Sequence, residues 1–379
     1  MKKIGIVTLY HNNNNYGGQL QAYAMQKLFT TDNSEARLIS FEVRSEKYIL
    51  KRIWDLGPVK FVMNSCRKMA FRKFVKRNPI RSQYGLRLER FKIFGDGISH
   101  TKLYSEKNIG MANESFDVFV CGSDQVWNPG WWNDILLLRF AHKPKYAYAA
   151  SIGREVLGNN HAGTLRKALR DFKAVSVRER QAKELLQKIL EIDIPLVLDP
   201  TLLLSREEWG RLASRPQYVG RYALLYMLGD DWDMKKEIYT KCKSLGVRVI
   251  EIALEKDLYY STQMKYADLF ICDAGPSQWL GWILNADYVF TDSFHGTVFS
   301  VIFERTFWCF MSGRESNRKN INSRLYSFLT LAGLSERLIY RGELVNRFKE
   351  QSGIDYKAVQ ENLQPYRDSS LEFIKRIVI

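Results

Sequence analysis

Apolar residues arrive along this chain in short unbroken runs, and most of these runs end in a polar or glycine-bearing loop that gives way to helical spacing. Residues 3–9 read as a strand buried on both faces. After the polar stretch His11 to Asn15 and two glycines, residues 19–29 carry Leu20, Ala22, Tyr23, Met25 and Leu28 at helix spacing. The same order recurs in strand-like runs at 116–121, 146–151, 173–178 and 194–199, the third followed by a helix pattern. Strands apolar on both faces need helices above and below them, so the alternation predicts a doubly wound parallel sheet.

Ser205 stands as an N-cap before the next helix, and the polar segment 214–221, broken by Pro216 and Gly220, reads as a linker. A second series follows: a strand at 222–228, a helix at 234–245, strands at 247–254 and 269–272, a helix at 276–285, a strand ending at Thr291 and a strand at 307–311. The tail from Asp355 has helical spacing at Leu363, Tyr366, Leu371, Phe373, Ile374 and Ile377. The expected fold class is α/β, with two Rossmann-like domains facing a cleft. Their expected extents are 1–215 and 216–354, followed by a C-terminal helix at 355–379. Ligands in such folds sit at the carboxyl ends of the strands, where loops from both halves converge.

Composition agrees with this and adds one feature. A chain of 379 residues, 46% of them hydrophobic, suits two domains. No run approaches the roughly 18 apolar residues of a membrane span. The apolar run after Met-Lys-Lys is too short for a signal sequence. Five scattered cysteines (Cys66, Cys121, Cys242, Cys272, Cys309) read as small hydrophobes in a reducing compartment. The formal charge is +16, and between Arg44 and Lys92 fifteen Lys/Arg face only Glu46, Asp55 and Glu89. Within this basic insertion, at about 44–92, residues 60–77 are spaced as a basic amphipathic helix. It suits a solvated helix packed on its own domain, a helix lying on an anionic membrane or, last because no nucleic-acid module surrounds it, a nucleic-acid patch.

Candidate chemistry lies at the strand ends. The run Asp287 to Gly296 is a strand that stops as His295 and Gly296 open a helix, which places a titratable proton beside unpaired helix amides that favour an anion. The bland alternative is that His295 caps or packs. Gly17 and Gly18 permit close backbone approach to a ligand after the first strand, or simply make a strand-to-helix turn. Ser123, Asp124, Gln125, Trp127 and Asn128 follow another strand end, and with Trp131 and Trp132 they read as a sugar platform. There Asp124 serves as a base or caps a turn. Arg178 could hold a carboxylate or phosphate, or form an ion pair with Glu179 or a neighbouring loop. Arg314, Arg318, Lys319 and Arg324 crowd an expected loop after Met311, as anion ligands or as solvated charge. The sequence carries no metal-ligand spacing, nucleophile elbow, P-loop or complete dinucleotide fingerprint. The residues themselves lead as far as a cleft enzyme that binds a small anion with cationic side chains and one histidine.

Taken in order, Asn15-Tyr-Gly-Gly-Gln-Leu-Gln-Ala-Tyr-Ala24, Asp117-Val-Phe-Val-Cys-Gly-Ser-Asp-Gln-Val-Trp-Asn128, Ser176-Val-Arg-Glu179, Asp199-Pro-Thr201 and Thr291-Asp-Ser-Phe-His-Gly296 resemble the polysaccharide pyruvyl transferase family. The resemblance implies a GT-B-like fold whose last helix returns to the first domain. It implies transfer of the enolpyruvyl unit of phosphoenolpyruvate to two hydroxyls of a sugar, giving a pyruvate ketal and phosphate, without a metal or further cofactor. His295 matches the family's histidine and is expected to be the general acid. Arg178 matches a donor-binding arginine, and Asp124 is expected to be the acceptor-side base. The implied acceptor is a sugar or lipid-linked oligosaccharide of capsule or exopolysaccharide synthesis, handled in the cytoplasm or at the inner membrane face. Nucleic acid is not an expected partner. Ser293 and Phe294 stand where members often have Arg-Leu. A cation from Arg314, Arg318, Lys319 or Arg324 must then compensate, or the donor differs. Competing expectations are a GT-B nucleotide-sugar glycosyltransferase and a non-catalytic carbohydrate- or nucleic-acid-binding relative.

Overall fold

The computed structural model describes residues 1–42, 80–130, 133–154, 156–229, 231–254, 266–311, 318–340 and 353–379, with isolated positions 57, 62, 63 and 66. The first half contains β1 (Lys2–Val7), β2 (Ser34–Leu38), β3 (Phe41–Glu42), β4 (Tyr104–Ser105), β5 (Val118–Cys121), β6 (Lys145–Ala150) and β7 (Phe172–Val177). β3 and β4 pair only with each other, and the rest form a parallel sheet in the order β2-β1-β5-β6-β7. The second half contains β8 (Tyr222–Tyr226), β9 (Arg248–Ile252), β10 (Leu269–Ile271), β11 (Tyr288–Thr291), β12 (Thr306–Phe310) and β13 (Leu338–Ile339). They form a parallel sheet in the order β10-β9-β8-β11-β12-β13. The helices are α1 (Tyr16–Phe29), α2 (Ile80–Asp96), α3 (Asn159–Leu169), α4 (Arg180–Leu190), α5 (Arg206–Leu212), α6 (Trp232–Ser244), α7 (Pro276–Leu284), α8 (Phe294–Ile302), α9 (Arg318–Ala332) and α10 (Tyr356–Val378).

Central strands match the apolar runs because both their faces are covered, and every residue of β5 and β8 is buried. One strand is additional to those expected, and two expectations change. Ser34–Leu38 is an edge strand that alternates buried and more open positions, a weaker signal than an apolar run. The expected strand at 194–199 makes only a single bridge, Leu196 to Val177, because Pro195 has no N–H to give a ladder. Arg318, Lys319 and Arg324 belong to α9 and not to a loop. Ser205 caps α5 as expected, in a reciprocal capping box with Glu208.

The halves are joined by a shared core. Tyr16 at the start of α1 stacks on Trp279 of α7 at 5.3 Å between ring centroids, and its hydroxyl donates to the Ala274 carbonyl at 2.9 Å. Two cations of the basic block are spent here: Arg87 lies over the Tyr16 ring and donates to the Ala253 carbonyl at 2.6 Å, and Arg90 pairs with Asp273 at 2.7 Å. The helix expected over 60–77 lies outside the described residues apart from Val62, Met63 and Cys66. Cys66 is exposed, whereas the other four cysteines are buried and unbridged.

α10, a helix as the apolar spacing of the tail predicts, crosses between the halves as the family resemblance implies. Val359 and Leu363 join the core of the second half. Phe373, Ile374, Ile377 and Val378 pack against Ile4, Ile6, Met25 and Phe29 of the first. Between these patches Ser370 Oγ accepts from the Leu198 amide at 2.8 Å, and Arg367 donates to the Leu202 carbonyl at 2.6 Å. Among the described residues, no helix is long and apolar enough to cross a membrane.

Candidate active site

In each sheet the chain leaves its first strand to one side and later returns to the other, so a crevice opens beside β1 and β5 in one half and beside β8 and β11 in the other. Loops from both crevices meet. In the second half the Thr291 hydroxyl donates to the Tyr226 carbonyl (2.6 Å), and the Asp292 carboxylate accepts from the Leu228 and Gly229 amides (2.5 and 2.7 Å). These contacts fix the end of β11. Ser293 then caps α8, its Oγ accepting from the Gly296 amide at 3.3 Å. His295 is therefore the second residue of α8, on a wholly buried helix, and is itself 7% exposed.

From the other half, α1 begins at Tyr16 with Asn15 as its cap, the Asn15 side chain accepting from the Gly18 amide at 3.0 Å. Gly17, the second residue of α1, lies against the imidazole: a Cβ there would be 1.9 Å from His295 Nδ1. Two helix N-termini, one from each half, thus converge on one histidine. Gly17→Ala is expected to destabilise the protein by about 1–3 kcal/mol through overpacking at this contact, measured by urea unfolding. A loss of only a few tenths would mean the ring has room to swing away.

His295 Nε2 faces a buried ion cluster. It lies 3.7 Å from Asp199 Oδ2, within ion-pair range but beyond a hydrogen bond, and has no hydrogen-bond partner. Arg178 donates through Nη1 to Asp199 and through Nη2 to Asp124 (3.0 Å), with only 1% of its side chain exposed. Thr201 gives Asp199 two further donors, its amide at 3.1 Å and its hydroxyl at 2.7 Å. Burial alone would raise the Asp199 carboxyl, but Arg178 and His295 outweigh it and hold the group well below the usual carboxylate range. Asp124 is likewise lowered, with burial overcome by Arg178, His295 and Arg324. Burial alone would lower Arg178, but Asp199, Asp124 and Glu179 overcome it and the group is raised. Two guanidiniums lie over the Phe294 ring, with Arg178 at 4.6 Å and Arg324 at 5.8 Å from its centroid.

Several expected roles change once the side chains are placed. Arg178 takes the expected alternative of an ion pair with neighbouring loops, through Asp199 and Asp124, and does not pair with Glu179. Glu179 turns its Oε1 to Ser151 Oγ (3.0 Å) and the Ile152 and Gly153 amides (3.0 and 2.9 Å). Trp127 offers no face to a sugar, because it is 0% exposed inside the core of the first half. The turn that sends it inward begins at Gly122, where φ is +113° and a Cβ would meet the Tyr148 carbonyl oxygen at 2.2 Å, and passes through Asp124 at φ +70°. Trp131, Trp132 and Arg314 lie outside the described residues, and of Arg318 only the helical backbone is described. Ser123 is fully buried within the ion cluster, 3.2 Å from Asp199 Oδ2. Asn128 braces the next turn by accepting from the Gly130 amide at 2.9 Å. Gln125 turns toward Arg324, and with its amide oxygen facing the donor-only guanidinium the two are 2.6 Å apart. Gly296 packs on Thr291, whose Oγ1 would be 2.4 Å from a Cβ at that position.

Asp199 is the residue whose role was not read from the sequence. In the sequence it stands only within a resembling string, and the aspartate before Pro-Thr is the one local signal that marks it. Among the described residues no group of three or more His, Cys, Asp or Glu is placed to hold a metal ion.

The family model for polysaccharide pyruvyl transferase matches residues 15–313. No curated protein matches the chain. Among solved structures it is similar to a protein assigned as a UDP-N-acetylglucosamine 2-epimerase from Listeria monocytogenes, at 11% identity and a TM-score of 0.53, over 100% of this chain and 95% of that one. It is also similar to the UDP-GlcNAc 2-epimerase of Methanocaldococcus jannaschii in complex with UDP-GlcNAc and UDP, at 14% identity and a TM-score of 0.50, over 99% of both chains. At such identities the likeness concerns the fold alone, and the fold is the GT-B-like arrangement of two α/β domains.

Proposed function

Because the chain belongs to the polysaccharide pyruvyl transferase family, we propose that it transfers the enolpyruvyl unit of phosphoenolpyruvate to two hydroxyls of a saccharide in a polysaccharide precursor. The balance is simple. The methylene carbon gains a proton and becomes a methyl group, two bonds form from C2 to acceptor oxygens, and the bond from C2 to the phosphate oxygen breaks. Of the two hydroxyl protons, one replaces that given to carbon and the other leaves with phosphate.

The observation that carries this reading is His295 at the meeting of two helix N-termini, with Nε2 unpartnered beside a guanidinium cluster. In the proposal Nε2 delivers the proton to the methylene carbon as positive charge develops at C2. The helix amides and a guanidinium face the carboxylate and phosphate of the donor. Arg178 is already committed to two carboxylates, so its proposed task is to hold Asp199 and Asp124 in place. The donor's anion falls instead to Arg324, which makes no ion pair among the described residues. Arg324 thereby takes the part of the arginine that members often carry just before the histidine. Burial, then the neighbouring Arg178, lowers Arg324, and a bound anion would offset both. Asp124, held low, suits accepting a hydrogen bond from an acceptor hydroxyl better than acting as a strong base. A lipid-linked acceptor at the inner membrane face, met by the basic block, completes the proposal.

The test is release of inorganic phosphate from phosphoenolpyruvate with a panel of saccharides. Phosphate release that depends on a saccharide is expected. Release of UDP or GDP from nucleotide sugars, with no response to phosphoenolpyruvate, would overturn the proposal in favour of a glycosyltransferase.

A further inference from the structure

A cavity of about 320 Å³ opens between the loop that follows β1 and the helix α2, lined among others by Asn12, Asn14, Gln19, Leu88 and Phe91. Gln19 is 4% exposed, and its amide orientation is fixed, since Nε2 donates to the carbonyls of Tyr10 (2.8 Å) and Asn13 (2.9 Å). Its Oε1 then has no partner. A buried acceptor in this state calls for a donor, and a hydroxyl supplies one. Asn12 and Asn14 lie on the exposed side of the cavity and can each donate and accept, matching the double capacity of further hydroxyls. Phe91 and Leu88 provide an apolar wall for the C–H face of a sugar ring. On the rim Lys92 and Asp96 pair at 2.7 Å, so these two charges favour neither an anion nor a cation, and the titratable His11 and His100 also line the cavity. A volume of this size is at the lower end of small-molecule sites.

We propose that this cavity binds a neutral saccharide unit of the acceptor, with Gln19 Oε1 accepting a hydroxyl and Asn12 and Asn14 reading its neighbours. The inference rests on the reading of the acceptor as a saccharide. Its link to the chemistry is α1, whose opening turn carries both Gly17 against His295 and Gln19 in the cavity.

Saturation-transfer NMR on the full chain, with the methyl glycosides of glucose, galactose, mannose and N-acetylglucosamine, tests it. Transfer to the ring protons of at least one glycoside is expected. Binding should weaken about tenfold in Gln19→Leu and in an Asn12→Gly/Asn14→Ala double variant, the loss expected for one or two hydrogen bonds. Asn12 has φ +51°, so glycine removes its amide without straining the backbone, and the double variant stays informative if Gln19→Leu misfolds. Binding of none of the four glycosides, or equal binding by wild type and the double variant, overturns the proposal. The two readings fail separately. Glycoside binding that the variants lose, with no phosphate released from phosphoenolpyruvate, removes the reaction and leaves the cavity. Saccharide-dependent phosphate release with an unmoved saccharide KM in the double variant does the reverse.

Discussion

His295→Ala is expected to lower kcat for phosphate release by about 10²–10⁴-fold, the range for loss of a positioned general acid. The KM for phosphoenolpyruvate should move much less, because the proposed anion contacts come from Arg324 and the helix amides. The expectation follows from placement: the ring is buried, braced on one side by Gly17, and directs an unpartnered Nε2 toward the ion cluster. That nitrogen makes no hydrogen bond, and Asp199 Oδ2 stands 3.7 Å away. His295→Gln, which retains hydrogen-bonding groups but cannot carry the proton, should be nearly as slow. Steady-state kinetics at matched folded fraction decide the matter, and wild-type kcat in either variant would sink the mechanism.

Arg178→Met is expected to cost about 3–5 kcal/mol of folding stability, because it strands the carboxylates of Asp199 and Asp124 in the interior. The loss should depend on pH with a definite sign. Both aspartates are held below their ordinary values in the folded protein, so the stability they contribute is present above the unfolded carboxylate pKa of about 3.9. It is lost as pH falls through their folded values. In the variant the cation is gone and protonation relieves the buried charge. The stability gap should therefore be widest near neutral pH and shrink as pH drops below about 4. Urea unfolding across that range measures it. A gap that is small, or that widens in acid, would mean the cluster does not hold these carboxylates ionised.

The sheets were legible because their central strands are unbroken apolar runs, and the helix at His295 was legible because its strand stops abruptly at Thr291. What escaped was non-local or weakly patterned. Ser34–Leu38 mixes polar and apolar residues as edge strands do. Pro195 lies inside an apolar run whose hydrophobicity masks the missing N–H donor. Trp127 looked like a ligand platform because an aromatic just past a strand end is ambiguous until the course of the turn is known. The cluster itself joins residues 123–124, 178, 199 and 295, and no local periodicity links a carboxylate to an arginine 21 residues away. Arg178 was visible as chemistry, but the two aspartates that occupy it were not visible as its partners. The choice of Arg324 over its neighbours followed only once α9 was seen to deliver it to Phe294.

The contact of Gly17 with His295 also bears on how proteins of this architecture can be recombined. The two halves look like exchangeable modules, each with its own sheet, yet the space for the histidine of one is cut from the backbone of the other. A chimaera that imports a second half with such a histidine would need glycine at the facing position of the first. Without it, each half could fold well and the junction would still close on the imidazole. Glycine at 17 and histidine at 295 would therefore have to be exchanged together, although they lie on two separate stretches of chain.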